Sequence, residues 1–333
     1  MRRPRASPGM SVQADPYPLS LNQRAGALAD AMIAESRALR LGVARGPAGE
    51  VLVDCGHRQP GSFEAGLHLA RIALSGLGEV ALVPSCDSLL PWSVLVRTSQ
   101  PWLACLGSQY AGWHLSGPDG VSRMGSGPAR ALARREPIFE ELPHRETADR
   151  AVLVLEGDTP PADATDVARA CALAPDRVTL LHAPTGSPAG MVQIASRVLE
   201  CAVQKARGLA FPMEDIQDAM GCGPVGLPHP DTRLAMGRAN DAIIYAGRAH
   251  LLVTGEAGRA RELARALPSC TASDWGRSFA EVFASVDGNF AHIDAGLFSP
   301  AEILVTALKT GETFTAGRAE PERLRAGQGL VPL

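Results

Sequence analysis

Short apolar runs alternate along this chain with stretches of helical period. VLVDC from Val51, EVALVP from Glu79, AVLVLEG from Ala151, RVTLLHAP from Arg177 and HLLVTGE from His250 are rich in Val and Leu and mostly bounded by Gly, Pro or charged residues, so they predict strands. Between most of them the apolar positions recur every three to four residues. Residues 63–77, 165–173, 189–207 and 258–267 therefore predict helices, as do residues 22–45, where Leu28, Met32, Ile33 and Leu39 share a face and Asn22 stands as the cap. Strands alternating with helices predict an α/β protein, a pattern that does not separate parallel from mixed sheets. The charged stretch ARREPIFEELPHRETADR, residues 133–150, predicts a linker. It divides an N-terminal α/β domain, residues 11–146, from a C-terminal α/β domain, residues 147–333. A Pro- and Gly-rich stretch from Gly221, GCGPVGLPHPD, is a second candidate linker.

The helix predicted after Ala189 has an unusual distribution of polarity. Gln193, Arg197, Glu200 and Gln204 are spaced i, i+4, i+7, i+11 and project from one face, while Val192, Ile194, Ala195, Val198, Leu199, Ala202 and Val203 surround that stripe. A helix apolar on most sides is predicted to be buried, and its polar stripe then needs partners or a cavity. Two readings of Arg197 and Glu200 follow. One is an intrahelical i, i+3 ion pair, worth about 0.2–0.5 kcal/mol on an exposed helix. The other is a site in which burial raises the affinity of Glu200 for a proton and Arg197 opposes it, the balance required of a general base working near neutrality.

Composition narrows the function classes. The chain has 333 residues, 46% hydrophobic and 20% charged, with a net charge of -3. That is length enough for two domains with cores that need no staples. Only Lys205 and Lys309 among the basic residues are lysines, and the acidic residues balance the arginines, so no nucleic-acid-binding surface is predicted. Seven cysteines with no closely spaced pair give neither a disulfide framework nor a zinc motif. No apolar run approaches the roughly 20 residues that span a bilayer, and the Arg-rich start lacks the apolar core of a signal sequence. A cytoplasmic protein without membrane attachment is expected, with Met10 as a possible second start.

The remaining motifs are less specific. GCGPVG, residues 221–226, satisfies GxGxxG but follows a helix-like segment and precedes a Pro-rich loop, so it reads as a tight turn and not as a dinucleotide fingerprint. In MGSGPARALAR, Gly125, Ser126 and Gly127 precede a helix opened by Pro128, either an ordinary helix start or one whose N–H groups meet an anion. Arg238, Asn240 and Asp241 precede an apolar helix-like run, where Asn or Asp caps helices. His182, His229, His250 and His292 are scattered, and no metal site is predicted.

Five separated segments together carry a family resemblance: GSQYAGWHLS from Gly107, GSGPARAL from Gly125, APTGSPAGMVQIASRVLE from Ala183, MGRANDAIIYAG from Met236 and FAHIDAGLFSPAEI from Phe290. In this order, across nearly the whole chain, they resemble the methenyltetrahydromethanopterin cyclohydrolases of methanogens and methylotrophic bacteria. The resemblance implies two α/β domains with mixed sheets flanked by helices, an active-site pocket between the domains, and a homo-oligomer, commonly a trimer. It implies reversible hydrolytic opening of the methenyl bridge of a tetrahydromethanopterin-type pterin to the formyl form, with the pterin as substrate and no metal or prosthetic group. Bacterial members use a pterin lacking the terminal phosphate-bearing extension. The RxxE motif falls on Arg197 and Glu200, which gives Glu200 the role of general base on water and Arg197 that of orienting and tuning it. Ser126, Gly127, Thr185, Gly186, Ser187 and Gln193 are expected to contact substrate, and Asn240 and Asp241 are carried by the resemblance alone. Cys201 and Gln204-Lys205 stand where the family commonly has Thr and a His-Lys pair. An inactive paralogue serving as a pterin carrier or assembly subunit is the competing expectation, opposed by retention of a charged pair that is costly to bury.

Overall fold

A computed structural model describes residues 19–85, 89–116, 122–157 and 164–330; the Pro-rich lead and Met10 lie outside it. Strands β1 (Gly42–Arg45), β2 (Val51–Asp54), β3 (Glu79–Pro84), β4 (Trp92–Thr98), β5 (Trp113–Ser116), β6 (Ser122–Ser126), β7 (Ala151–Glu156), β8 (Val178–Ala183), β9 (Ile216–Pro224), β10 (Arg248–Val253), β11 (Glu302–Ala307) and β12 (Thr313–Gly317) follow in chain order. They form two six-stranded sheets, one ordered β1-β2-β8-β7-β6-β5 and the other β12-β11-β10-β9-β4-β3. Both sheets are mixed. In the first, β2, β8 and β7 run parallel and the outer pairings are antiparallel; in the second, only β10 and β11 run parallel. The five strands expected from the apolar runs are all present. Each sheet takes strands from both sides of the position between residues 146 and 147.

Helices cover the sheets where their apolar faces demand it. On the first sheet, Val53, Val152, Val154, Leu181 and Ala183 pack against Ala25, Ala29 and Met32 of the helix Leu21–Ala34 and Leu69, Ile72 and Ala73 of the helix Phe63–Ala73. Leu153, Leu155, Val178 and Leu180 share the opposite core with Val167 and Ala168 of the helix Thr165–Ala170. One face of the second sheet, through Val94, Val96, Ala219, Leu251 and Ile303, packs with Leu199, Ala202 and Val203 of the helix Val198–Gly208 and with Ala260 and Leu263 of the helix Ala257–Ala266. The helix Pro188–Ala195 contributes Ala189 to the first core and Met191, Val192, Ile194 and Ala195 to the second, so it joins the two layers. Among the described residues, no helix is long and apolar enough to cross a membrane.

Three local expectations are corrected. The predicted helix over residues 22–45 stops at Ala34, and after a short turn of helix Arg40 takes a left-handed φ of 59° and residues 42–45 become a hairpin strand with β2. Ser20, not Asn22, caps this helix, its Oγ accepting from Gln23 N. Asn22 is buried and tied instead to Pro128 O, Glu146 and Val152 N, a tertiary role that its capping propensity conceals. GCGPVG is no turn: Gly221 and Gly223 lie inside β9, and a Cβ at Gly223 would stand 2.3 Å from Ala195 O. Those glycines let the central strand approach the helix ends at residues 195–198 closely. Finally, residues 133–150 are packed structure: Ile138, Phe139 and Leu142 join the core, and the buried Glu146 accepts from Leu21 N, Asn22 N and Ser20 Oγ.

Candidate active site

The polar stripe sits on a bent helix. The helix Pro188–Ala195, capped by Ser187 Oγ accepting from Gly190 N, ends at Ser196, and the helix Val198–Gly208 starts after Arg197. Ser196 Oγ donates to Gln193 O at 2.5 Å, and Arg197 N bonds to Ile194 O in a tighter i−3 turn. A hydroxyl competing for a carbonyl of its own helix bends it. The bend leaves Gln193, Arg197 and Glu200 on one side, buried to 1%, 7% and 5% exposure.

Arg197 is the hub of this cluster. Its Nη1 donates to Gln109 O at 2.9 Å and lies 3.4 Å from Glu200 Oε2. Its Nε stands 3.3 Å from Glu156 Oε1, close enough for an ion pair but outside hydrogen-bond alignment, which leaves both atoms without a formal hydrogen bond. Arg197 Nη2, both amide atoms of Gln193 and Gln109 Oε1 are buried with no hydrogen-bond partner among the described residues. Unpaired buried polar atoms are rare in folded proteins, and their concentration around one guanidinium marks a surface shaped for something other than its own fold.

Burial and neighbouring charges act on Glu200 in opposite directions. Burial raises the proton affinity of Glu200 above the ordinary carboxylate range, Arg197 and Arg130 pull it down, and Glu156 adds to the upward push. Burial acts to lower the pKa of Arg197, but Glu156 and Glu200 outweigh it and keep the guanidinium firmly charged. Arg130 is itself fixed, bonded to Glu136, Leu106 O and Ser108 O and lying 5.2 Å from the Tyr110 ring centroid. Among the described residues no group of His, Cys, Asp and Glu is arranged to hold a metal ion.

The other expected residues fall into three places. Thr185, Gly186 and Ser187 follow the C-terminal end of β8 and lead into the bent helix; a Cβ at Gly186 would meet His229 O at 2.2 Å, so this loop is closely packed. Ser126 and Gly127 lie one step behind the cluster. Gly127 N donates to Ser108 O, and Ser126 Oγ donates to Val154 O, so the pair braces the segment that presents Gln109. Asn240 and Asp241 are not brought to Arg197. Asn240 bonds within its own helix to Met236 O, and Asp241 accepts from Phe279 N and lines a separate cavity of about 360 Å³ with Tyr245, Arg277 and Arg323. A second, smaller cavity, lined by Phe63, Trp92 and Leu227, also lacks Arg197 and Glu200.

Gln109, Glu156, Tyr110 and Arg130 were not singled out from the sequence. Glu156 had a visible signal, a carboxylate ending an otherwise apolar strand at the C-terminal edge of parallel strands, where α/β sheets place ligands. Gln109 and Tyr110 lie within the GSQY segment, at the end of a π-helical stretch, Trp102–Gln109, a distortion frequent at functional sites.

Residues 20–327 match the family model described as Cyclohydrolase (MCH). The chain is 48% identical to the methenyltetrahydromethanopterin cyclohydrolase of Xanthobacter autotrophicus over 95% of this chain and 94% of that one. It is 46% identical to that of Methylobacterium organophilum, over 92% and 96%, and 38% identical to that of Methanothermobacter marburgensis, over 94% and 100%. The chain belongs to the MCH cyclohydrolase family.

Proposed function

We propose that this protein opens the methenyl bridge of methenyltetrahydromethanopterin by hydrolysis, with Glu200 as general base and Arg197 as the group that orients and tunes it. The observation that carries the reading is a buried carboxylate, raised in proton affinity by burial and held 3.4 Å from a buried guanidinium, on the bent helix. The bridging carbon lies between two nitrogens that share a positive charge, so it is electrophilic without a Lewis acid. Water attacks this carbon while Glu200 takes one of its protons, forming a tetrahedral adduct. One C–N bond of the adduct then breaks, the carbon becomes a formyl group, and Glu200 returns its proton to the departing nitrogen. The hydroxyl proton of the adduct leaves to solvent as the formyl carbonyl forms, so the cation and one water give the neutral formyl pterin and one proton, and the steps reverse in the direction of ring closure.

Arg197 serves the same steps electrostatically. Fixed by Gln109 O and Glu156, it limits the rise in the Glu200 pKa that burial alone imposes, and Nη2 is available to the oxygen developing on the adduct. Thr185, Gly186, Ser187 and Gln193 border the substrate in this reading, and Ser126 and Gly127 support the wall behind Gln109. A homo-oligomer, with a trimer favoured, belongs to the same proposal; exposed Leu95 and Met220 on adjacent strands β4 and β9 support a covered sheet face. Light scattering of the purified protein at the mass of three chains supports the trimer, and a monomer at micromolar concentration overturns it.

The activity is tested by mixing purified protein with the methenyl pterin and following loss of its near-ultraviolet absorbance without added metal or nucleotide. Catalysed loss with formyl product supports the proposal. Saturable binding without turnover identifies a carrier and overturns it.

A further inference from the structure

The cavity of about 360 Å³ lies between the helices Thr232–Ala246, Phe279–Ser285 and Pro321–Gln328, and neither Arg197 nor Glu200 lines it. Asp241 stands in its wall, 1% exposed, with Oδ1 accepting from Phe279 N and Oδ2 without a hydrogen bond among the described residues. Satisfying a free N–H at a helix start needs one neutral acceptor, so that bond does not account for a carboxylate. Burial pushes the carboxyl up to about 7, opposed by the Phe279 N–H and not by a cation. A buried carboxylate with an unpaired oxygen is costly until something positive reaches it. Gly327 keeps space in front of that oxygen. Its φ is not left-handed, so its backbone does not require glycine, yet a Cβ there would stand 2.7 Å from Asp241 Oδ2.

The exposed side of the cavity carries the opposite charge, from Arg277 and Arg323. Arg323 donates through Nη1 to Gly276 O, and its guanidinium carbon lies 4.9 Å from the Trp275 ring centroid, so it is held while its other N–H groups make no hydrogen bond among the described residues. Arg277 donates through Nη2 to Glu281 O. Tyr245 Oη donates to Arg277 O and accepts from Gly276 N, which fixes the backbone between the two arginines and the interior. Glu281 is engaged in capping, its Oε2 accepting from Ser278 N and Ser278 Oγ.

We infer that this cavity binds a small zwitterion of amino-acid size, its ammonium group on Asp241 Oδ2 and its carboxylate on Arg323 and Arg277. The volume stands at the small end of ligand pockets, and the two lining carboxylates balance the two guanidinium groups. A simple anion leaves Asp241 unpaired, and a simple amine leaves the arginines without an acceptor that matches their fork. The site is separate from the proposed hydrolysis and does not depend on it.

The test is titration calorimetry of the full-length protein at pH 8, where Asp241 is mostly ionised. The probes are glycine, γ-aminobutyrate and ε-aminocaproate, which carry the two charges at increasing separation, and butylamine and butyrate, which carry one each. At least one zwitterion should bind with a Kd below about 1 mM, and about tenfold or more tightly than butylamine or butyrate. Asp241→Asn, which can still accept from Phe279 N, should weaken that zwitterion about tenfold or more through loss of a charge-assisted hydrogen bond. Gly327→Ala keeps every charge, places a methyl group against Oδ2 and should weaken it similarly; it decides the question if Asp241→Asn does not fold. No binding by any of the three zwitterions, equal binding of butylamine or butyrate, or an affinity unchanged in a folded variant overturns the inference. Displacement of the zwitterion by methenyl pterin also overturns it, because the cavity then belongs to the substrate site. Wild-type protein that binds the zwitterion but does not convert methenyl pterin leaves this site standing and refutes the proposed activity.

Discussion

Replacing Arg197 by Met keeps most of the side-chain volume and removes the charge on which both Glu200 and Glu156 depend. At 3.4 Å and 3.3 Å, each ion pair is a Coulomb attraction of about 5 kcal/mol at an effective dielectric of about 20. Desolvation of the three groups offsets much of this, so the net loss of stability at neutral pH should be about 3–5 kcal/mol, the range seen when one partner of a buried pair is removed. The sign with pH follows from proton binding. Without Arg197, Glu200 holds its proton more strongly in the folded state than in the unfolded chain, so the variant should lose stability as pH rises through the folded pKa. Activity should move the opposite way. Hydrolysis at pH 7 should fall about 10²-fold or more, and on the acidic limb the remaining rate should recover about tenfold per pH unit as Glu200 ionises. The assay is a pH series of kcat/KM by near-ultraviolet loss, paired with urea unfolding at the same pH values. A variant whose rate drops equally at every pH, with the limb unmoved, would show that Arg197 does not tune the base and refute the reasoning.

Two further outcomes follow from the structure. Glu156→Gln removes a negative charge that pushes the Glu200 pKa upward, so the acidic limb of kcat/KM should move to lower pH, opposite to Arg197→Met; movement to higher pH would contradict the placement of Glu156 beside the pair. Burial pushes Asp241 up to about 7 from 3.8, so the folded state binds its proton more tightly and this contribution to stability, at most about 4 kcal/mol, is lost between about pH 4 and pH 7. Asp241→Asn, which can still accept from Phe279 N, should therefore raise the melting temperature at pH 8 and leave it nearly unchanged at pH 4; equal shifts at both pH values would refute this.

The chain's alternating pattern located β2, β3, β7, β8 and β10 because each carries a short apolar run. It failed at β9, whose Gly221 and Gly223 look like turn residues until Ala195 and Val198 are seen against them. Nor could it place β4 beside β9, or β8 beside β2, because those pairings depend on contacts far apart in sequence. Arg197 and Glu200 were legible as a polar pair in an apolar helix, a local signal. Gln109 and Glu156 come to Arg197 from other elements, so no spacing within the helix could have indicated them. Asp241 shows the converse: its motif is sequence-adjacent to an apolar helical run, but its side chain faces Phe279 and Gly327, whereas Ala239 and Ile243 join the core that holds Ala195 and Val198.

The central claim is that Glu200 removes a proton from the attacking water. Glu200→Gln preserves shape and neutralises the base, so single-turnover hydrolysis of the methenyl pterin should fall by about 10²- to 10⁴-fold. Binding of the substrate by the same variant should stay within severalfold of wild type. A folded Glu200→Gln protein that binds the methenyl pterin and still hydrolyses it at a rate within tenfold of wild type would contradict the account.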